Sequence, residues 1–503
     1  MNAAYLRQLR TYGALKSICS DRVNNQQCKK IVIDYSSPNI GKQFHIGNLR
    51  STLLGRYLDR VHRAIGNQVI SVNYLGDWGT QFAMIATYWP KVRPSDSYWN
   101  SCNDVEKIRA ITDCYIVANK KRRIDEDFRE EVRQTFAEME NKIVKGDSSS
   151  PEMRLWNDIR GISERHLKHF YSLFSIDFDR AVVYVPLWEY ESTYVTGARC
   201  LVSDLIKDNI ARKTSTGLWT VDLPRDDSEE HAIVQKSNDT TIYLSRELAS
   251  ILHRDDLFHA DLYMYVVDRA QRKHFETLRA ILSRIGRDDL AEKIEHVPYG
   301  RVKGLSTRMG RTEIVGEIID RGKELALQFM KESKTTKVPP EKAGEVAYQL
   351  SLSTLIFNDL KRAKSAEYEF SFKNAFDLSH NNALLLQVKH SRLCSIEENN
   401  SELLPFLDDC DSIPEETPDF TKLAVHLSRF PGVILSSLEK DEPCQLIVYL
   451  IDLSHCIGRV TRQAKVKGEP VDVAVPRLLL LSASKAVLHE GISLMGATPV
   501  VMM

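Results

Sequence analysis

The residues best equipped for chemistry lie together in one short run, Ser36-Ser37-Pro38-Asn39-Ile40-Gly41-Lys42-Gln43-Phe44-His45-Ile46-Gly47-Asn48. Lys42 brings a full positive charge, and His45 and Asn48 bring hydrogen-bond donors. Gly41 and Gly47 let the backbone come close to a ligand. A lysine, a histidine and glycines in a loop suit a phosphate group, where the protein's task is to position and neutralise charge. No Ser/His/Asp arrangement or other nucleophile motif accompanies them, so covalent catalysis by a side chain is not expected.

The elements that must hold this loop are legible around it. Ile31-Val32-Ile33 is short and β-branched and reads as a buried strand. Leu49, Leu53, Leu54, Leu58, Val61 and Ile65 recur at helical spacing and stop at Gly66-Asn67, a turn signal. Gln68 to Leu75 reads as a second strand, which completes a βαβ unit. The loop therefore sits at a helix N-terminus, where exposed N–H groups and the helix dipole favour an anion. No GxGxxG follows the first strand, which disfavours a dinucleotide-dependent oxidoreductase.

Downstream, Gly76-Asp77-Trp78-Gly79 forms a turn after the second strand, at the sheet edge where ligands usually bind. Residues 88–195 are mostly helical in pattern, with dense mixed charge over 120–140 that suits a solvated face. His166 and His169 are spaced i, i+3, but no further ligands gather nearby, so they read as ordinary helix residues. Strands resume at Trp219–Leu223 and Leu262–Val267. A polar stretch over 331–342 marks a domain boundary, and everything beyond it reads helical, with apolar stripes at 346–360, 382–395, 422–438, 444–465 and 473–495.

At 503 residues the chain has room for two or three domains. Lys+Arg and Asp+Glu are both 68, so a nucleic-acid surface must be a local basic patch rather than a product of bulk charge. The 27% charged and 43% hydrophobic residues are ordinary for a globular protein, and no apolar run is long enough to span a membrane. Nine scattered cysteines without a CxxC pair argue against a disulfide framework or a zinc site, and for a reducing compartment. Residues 1–20 contain Arg7, Arg10 and Lys16 but no acid, interleaved with leucines. That composition suits a mitochondrial transit peptide, the alternative being the first helix of the mature fold.

His45-Ile46-Gly47-Asn48 resembles the "HIGH" signature of class I aminoacyl-tRNA synthetases, and the surrounding Ser-Pro-Asn-x-x-Lys-x-x-His resembles the arginyl-tRNA synthetase form. Further blocks follow in order: Gly76-Asp77-Trp78-Gly79, then Val234-Gln235-Lys236-Ser237 with Thr240 to Glu247, and a "KMSKS" counterpart at Gly304-Leu305-Ser306-Thr307-Arg308. The resemblance implies a Rossmann-like α/β class I catalytic domain over 29–335, with an insertion at about 88–195. It also implies an all-α anticodon-binding domain over 341–503, behind a possible leader or extension at 1–28.

By the same resemblance, ATP would be bound by His45, Gly47, Asn48, Ser306, Thr307 and Arg308, with Lys42, His45, Asn48 and Arg308 acting on its phosphates. Arginine would be bound by Asp34, Ser37, Pro38, Asn39, Tyr243, Glu247 and Gln271. Mg2+ would accompany ATP, and no protein-held metal is expected. The chain departs from the family in three places. Asn48 replaces a histidine, the second signature has lost its lysines (with Lys42 placed to compensate), and Glu247 stands where aspartate is usual. The family's amino-terminal domain is not expected before the first strand near residue 30, and the tyrosines of a helical-domain block are missing over 380–392. The expected activity is arginine–tRNA ligation by a monomer in the mitochondrial matrix, or else in the cytoplasm, with tRNA(Arg), L-arginine and ATP as partners and no membrane association. The rival is a catalytically degenerate paralogue that binds tRNA or a protein.

Overall fold

The computed structural model describes all residues except 1, 43, 45, 179–187, 224–229, 304–314, 333–336, 372–374, 376–381 and 415–416. The chain divides into two compact units, one formed by 30–48 and 70–298, the other by 1–29, 49–69 and 299–503.

The first unit is built on a five-stranded sheet. Its strands are β1 (Lys30–Asp34), β2 (Gln68–Leu75), β3 (Trp188–Tyr190), β7 (Leu262–Asp268) and β8 (Ile294–Tyr299), in the order β3-β2-β1-β7-β8. Ile31, Val32 and Ile33 are at most 1% exposed, as a strand covered on both faces requires. β1 pairs in parallel with β7, Asp34 lying opposite Tyr265, and β2 pairs in parallel with β3. The order runs away from β1 in both directions, so the crevice at the carboxyl ends of β1 and β7 is the topological switch point, where open α/β sheets bind ligands. A smaller antiparallel sheet of β4 (Ala211–Lys213), β5 (Trp219–Leu223) and β6 (Glu230–Gln235) stands apart from it. It shares an apolar core with the helix Tyr243–Phe258 through Val221, Val234, Leu248 and Ile251.

Between β2 and β3 come the helices Thr80–Val92, Asp104–Ile124, Glu126–Lys145 and Pro151–Leu173, which pack on one another. Their ends carry local stop and start signals. Asn103 and Glu106 form a capping box, Asp125 and Ser150 cap the next two helices, and Gly146 closes one in the left-handed conformation. The described residues of 88–195 are mostly helical, as their pattern indicates, but they also include β3. Three residues are too few for a strand period to show.

In the second unit the helices Val315–Glu332 and Pro340–Leu360 pack together, and Ala326 and Met330 share a core with Ala347, Leu350, Leu384 and Val500. The helices on either side of the polar stretch over 331–342 therefore belong to the same compact unit. The expected single stripe over 422–438 is two helices, Pro418–Ser428 and Phe430–Glu439, since a proline in the first turn of the second restarts the chain there. Arg50 donates to the carbonyls of Gly300 and Ala363 at 2.9 and 3.0 Å, close to where Val302–Lys303 and Tyr368–Glu369 pair as short parallel strands.

Residues 3–24 form two helices, Ala3–Tyr12 and Leu15–Asn24, and the first packs against Val471–Leu494. Leu6 and Leu9 are 0% and 1% exposed. Arg7 donates to the Cys410 carbonyl at 2.9 Å and pairs with Asp411 at 2.7 Å, while Arg10 pairs with Asp408 at 2.6 Å. Glu490 accepts from the Ala14 and Leu15 amides at 2.9 and 3.3 Å. Arg7, Arg10, Leu6 and Leu9, read above as a possible leader's residues, are thus occupied in packing. Leu9→Ala should lower the stability of the helical unit by about 2–5 kcal/mol, measured by urea unfolding. A loss near zero would mean that this helix contributes little to the core.

Candidate active site

At the switch point the sheet ends in a buried cluster of opposed charges. Asp34 closes β1, Glu189 lies in β3 and Glu191 just beyond it, and Arg246, Glu247 and Arg254 lie on the helix Tyr243–Phe258. All six are buried, Arg254 completely. Its guanidinium pairs with Asp34 at 2.8 Å and with Glu189 at 2.9 Å, donates to the Tyr265 hydroxyl at 3.1 Å, and lies 5.3 Å from the Tyr74 ring centre. Arg246 is taken up by Glu191 at 2.6 Å and donates to the Thr241 hydroxyl at 2.7 Å. Four carboxylates therefore face two guanidiniums.

Glu247 is the member left over. It hydrogen-bonds the Tyr243 hydroxyl, but its Oε1 is buried with no hydrogen-bond partner among the described residues. Burial pushes its pKa up to about 7, opposed by Arg254 and reinforced by the charge of Asp34. Burial also raises Asp34, which Arg254 and a 2.5 Å hydrogen bond from Ser37 pull back. A buried carboxylate oxygen without a donor is costly, and a cationic ligand with planar donors would satisfy it. Tyr243 is 43% exposed and Gln271, in the turn after β7, is also exposed, so the ring and the amide stand where a ligand can reach them.

The loop after β1 is pinned to the end of β2. Ser36 and Ser37 have φ of +69° and +40°, a left-handed pair stabilised by surrounding bonds. The Ser37 amide donates to the Asn73 side chain at 3.1 Å, and the Tyr74 amide donates to Ser37 Oγ at 3.0 Å. The Gly76 amide donates to the Pro38 carbonyl at 3.1 Å, and the Ile40 amide to the Gly76 carbonyl at 3.2 Å. A Cβ on Gly76 would collide with the Asn39 side chain, so glycine is needed there. Ser37, Pro38 and Asn39 thus continue directly from Asp34 along a fixed path.

Beyond them, Gly41 takes φ of +73°, donates to Ser163 Oγ at 3.1 Å and accepts from Thr112 Oγ1 at 3.3 Å. Lys42 lies half-buried with its ammonium 4.7 Å from the Tyr115 ring centre, and burial lowers its pKa. Lys42 and Asn48 line a cavity of about 120 Å3 together with Pro38, Asn39, Ile40, Phe44, Ser163, His166 and Leu167. Gly47 and Asn48 fall in the first turn of the helix Ile46–Ala64, whose N-terminal amides favour an anion.

The structure thus gathers Asp34, Ser37, Tyr243 and Glu247 at one crevice, with Pro38 and Asn39 leading from it to the cavity of Lys42 and Asn48. His45, Ser306, Thr307 and Arg308 lie outside the described residues. Arg254, Glu189, Glu191 and Arg246 were not singled out in the sequence. A signal existed for one of them, since Tyr243, Glu247 and Arg254 are spaced by four and seven, on one helical face. Asp77 and Trp78 prove to be framework. Asp77 accepts from the Ser192 amide and hydroxyl at 2.8 and 2.6 Å, and the Trp78 indole donates to the buried Glu140 at 3.3 Å. Among the described residues, no group of three or more His, Cys, Asp or Glu is arranged to hold a metal, and no helix is long and apolar enough to cross a membrane.

With this geometry in view, the comparisons with known proteins are consistent. The family described as tRNA synthetases class I (R), catalytic domain, matches residues 14–372, and the DALR anticodon binding domain matches 386–503. A probable mitochondrial arginine–tRNA ligase of Mus musculus is 31% identical over 501 residues, covering 99% of this chain and 83% of its own. The mitochondrial arginine–tRNA ligase of Saccharomyces cerevisiae is 30% identical over 481 residues, covering 94% and 72%. The arginyl-tRNA synthetase structure of Thermus thermophilus shares the fold with a TM-score of 0.74 at 18% identity, covering 97% of this chain and 86% of its own. This chain belongs to the class I tRNA synthetases of the arginine type, with a class I catalytic domain followed by a DALR anticodon-binding domain.

Proposed function

We propose that this chain is an arginine–tRNA ligase. The observation that carries the substrate assignment is Glu247, a buried carboxylate with one oxygen unpartnered, in a cluster where acids outnumber guanidiniums. A ligand guanidinium supplies both the missing charge and the missing donors, and its planar fork suits paired carboxylates better than an ammonium does. In this reading Asp34 and Glu247 provide the charge, Tyr243 and Gln271 flank the side chain, and Ser37, Pro38 and Asn39 set the depth of the site.

Activation joins the arginine carboxylate oxygen to the α-phosphorus of ATP and breaks the bond to pyrophosphate. Transfer then joins the arginyl carbonyl to the terminal adenosine 2′-hydroxyl of tRNA(Arg) and releases AMP. Neither step needs a protein nucleophile. Lys42, Gly47 and Asn48 hold phosphate oxygens, and His45, Ser306, Thr307 and Arg308 complete that set. Mg2+ bound to ATP supplies further charge neutralisation. Residues 341–503 recognise the tRNA. A monomer in the mitochondrial matrix is the arrangement we favour, and imaging the tagged full-length chain against a mitochondrial marker tests the address.

Purified full-length protein incubated with ATP, arginine and mitochondrial or total tRNA should form arginyl-tRNA. Absence of charging with any arginine tRNA would favour the non-catalytic paralogue. The KM for arginine should rise as pH falls from roughly 8 to 6, because Glu247, with a pKa of about 7, must be ionised to pair with a cation. Below that pKa the rise approaches tenfold per pH unit. Glu247→Gln should raise the arginine KM by about tenfold or more and flatten the profile. An unchanged KM would remove Glu247 from the pocket. Arg254→Met should cost about 3–5 kcal/mol in urea unfolding at neutral pH, since Asp34 and Glu189 would lose their buried cation.

A further inference from the structure

The cavity beside Lys42 holds a group that neither the sequence motifs nor the family match assigns. His166 lines it from the helix Pro151–Leu173, and its Nε2 is buried with no hydrogen-bond partner among the described residues. The same helical face fixes the loop opposite. Ile159 would lie 3.3 Å from a Cβ on Gly41, Ser163 accepts the Gly41 amide at 3.1 Å, and His166 follows one turn on. The imidazole is therefore placed against the Lys42 loop by a helical face that already bonds that loop through Ser163.

The lining contains an ammonium, two asparagines, a hydroxyl and an imidazole, and no carboxylate. Its volume of about 120 Å3 admits several waters or one tetrahedral phosphate group. Asp104, the acid whose charge acts on His166, is occupied by Arg165 at 2.8 and 2.9 Å. Burial, aided by the neighbouring His169, lowers the His166 pKa. An anion there would select the tautomer with a proton on Nε2, or the imidazolium, and satisfy the orphaned nitrogen.

We propose that His166 is a nucleotide-binding residue, donating Nε2–H to a phosphate oxygen of ATP seated between Lys42 and Asn48. The proposal rests on the ligase reading for the identity of the anion. In that setting His166 supplies, from the inserted helices, a donor that Asn48 provides only in neutral form and the second signature no longer provides as lysine.

The test compares wild-type, His166→Leu and His166→Gln full-length proteins in three measurements: ATP binding by calorimetry, arginine- and tRNA-dependent pyrophosphate exchange, and thermal unfolding. His166→Leu should weaken ATP binding and raise the ATP KM by about tenfold or more, with the arginine KM within twofold and the melting temperature unchanged or higher. His166→Gln, which keeps a donor, should recover most of the loss. A purely structural role would instead lower the melting temperature and leave the ATP and arginine constants together. His166→Leu binding ATP within twofold of wild type overturns the proposal. Wild-type protein that binds ATP without arginine-dependent exchange overturns the ligase reading, and the binding curves still decide the place of His166. No ATP binding by wild type overturns both.

Discussion

The buried Arg254 guanidinium is the constraint on which the site depends. It joins Asp34 at the end of β1 to Glu189 in β3, and its own helix carries Tyr243 and Glu247. Charges this deep survive only if paired and hydrogen-bonded, because desolvation of an isolated ion costs several kcal/mol. The arrangement is self-consistent in that sense. Arg254 opposes the rise that burial gives the Asp34 pKa, Ser37 donates to Asp34, and Ser37 also accepts the Tyr74 amide. One cation thereby orders two strand ends, a helix and the start of the loop that runs to Lys42.

A second polar frame holds the inserted helices to the same crevice. Glu140 is completely buried on the helix Glu126–Lys145, and it accepts from the Thr241 amide and hydroxyl at 2.8 and 2.9 Å, from Arg199 at 3.1 Å and from Trp78. Thr241 passes the connection on to Arg246 and so to Glu191. Trp156 donates to the Asp77 carbonyl at 2.7 Å, and Asp77 holds Ser192. Substituting any member would leave a buried donor or acceptor without a partner, so these residues act on the site through position rather than contact. That also explains how Asp77 ends up buried and ionisable near neutrality. Burial lifts its pKa to about 6 against the hydrogen bonds from Ser192.

The sequence was informative where the physics is local. β2 runs over Gln68–Leu75 as its apolar pattern indicates, and the helix after the loop spans Ile46–Ala64 against an apolar stripe of 49–65. Asp34, Ser37, Tyr243 and Glu247 could be matched because each lies in a contiguous block. What stayed hidden is what depends on distant partners. Glu189 and Glu191 sit in and after a three-residue strand, and nothing in their neighbourhood announces that Arg254 and Arg246, more than fifty residues on, will neutralise them. The packing of the first helix stayed hidden for a related reason. Arg7 and Arg10 look like a leader's charges until Asp411 and Asp408 arrive from the far end of the chain.

Arg254 also accounts for the selectivity expected of the crevice. It is itself a guanidinium, bound by two carboxylates and flanked by Tyr74 and Tyr265, so the cluster already shows what it binds well. Placing Glu247 beside that satisfied group, without a cation of its own, makes a second acceptor of the same kind. Burial, and to a lesser degree repulsion from Asp34, raises its pKa, and a further positive charge entering beside it opposes both. Binding and ionisation are then linked, since a cation that enters while Glu247 is protonated must displace the proton. An ammonium would relieve the charge, but it cannot present the coplanar donors that suit a carboxylate oxygen beside a tyrosine hydroxyl. On the proposed reading, the surplus carboxylate is thus the feature that would distinguish one cationic side chain from another.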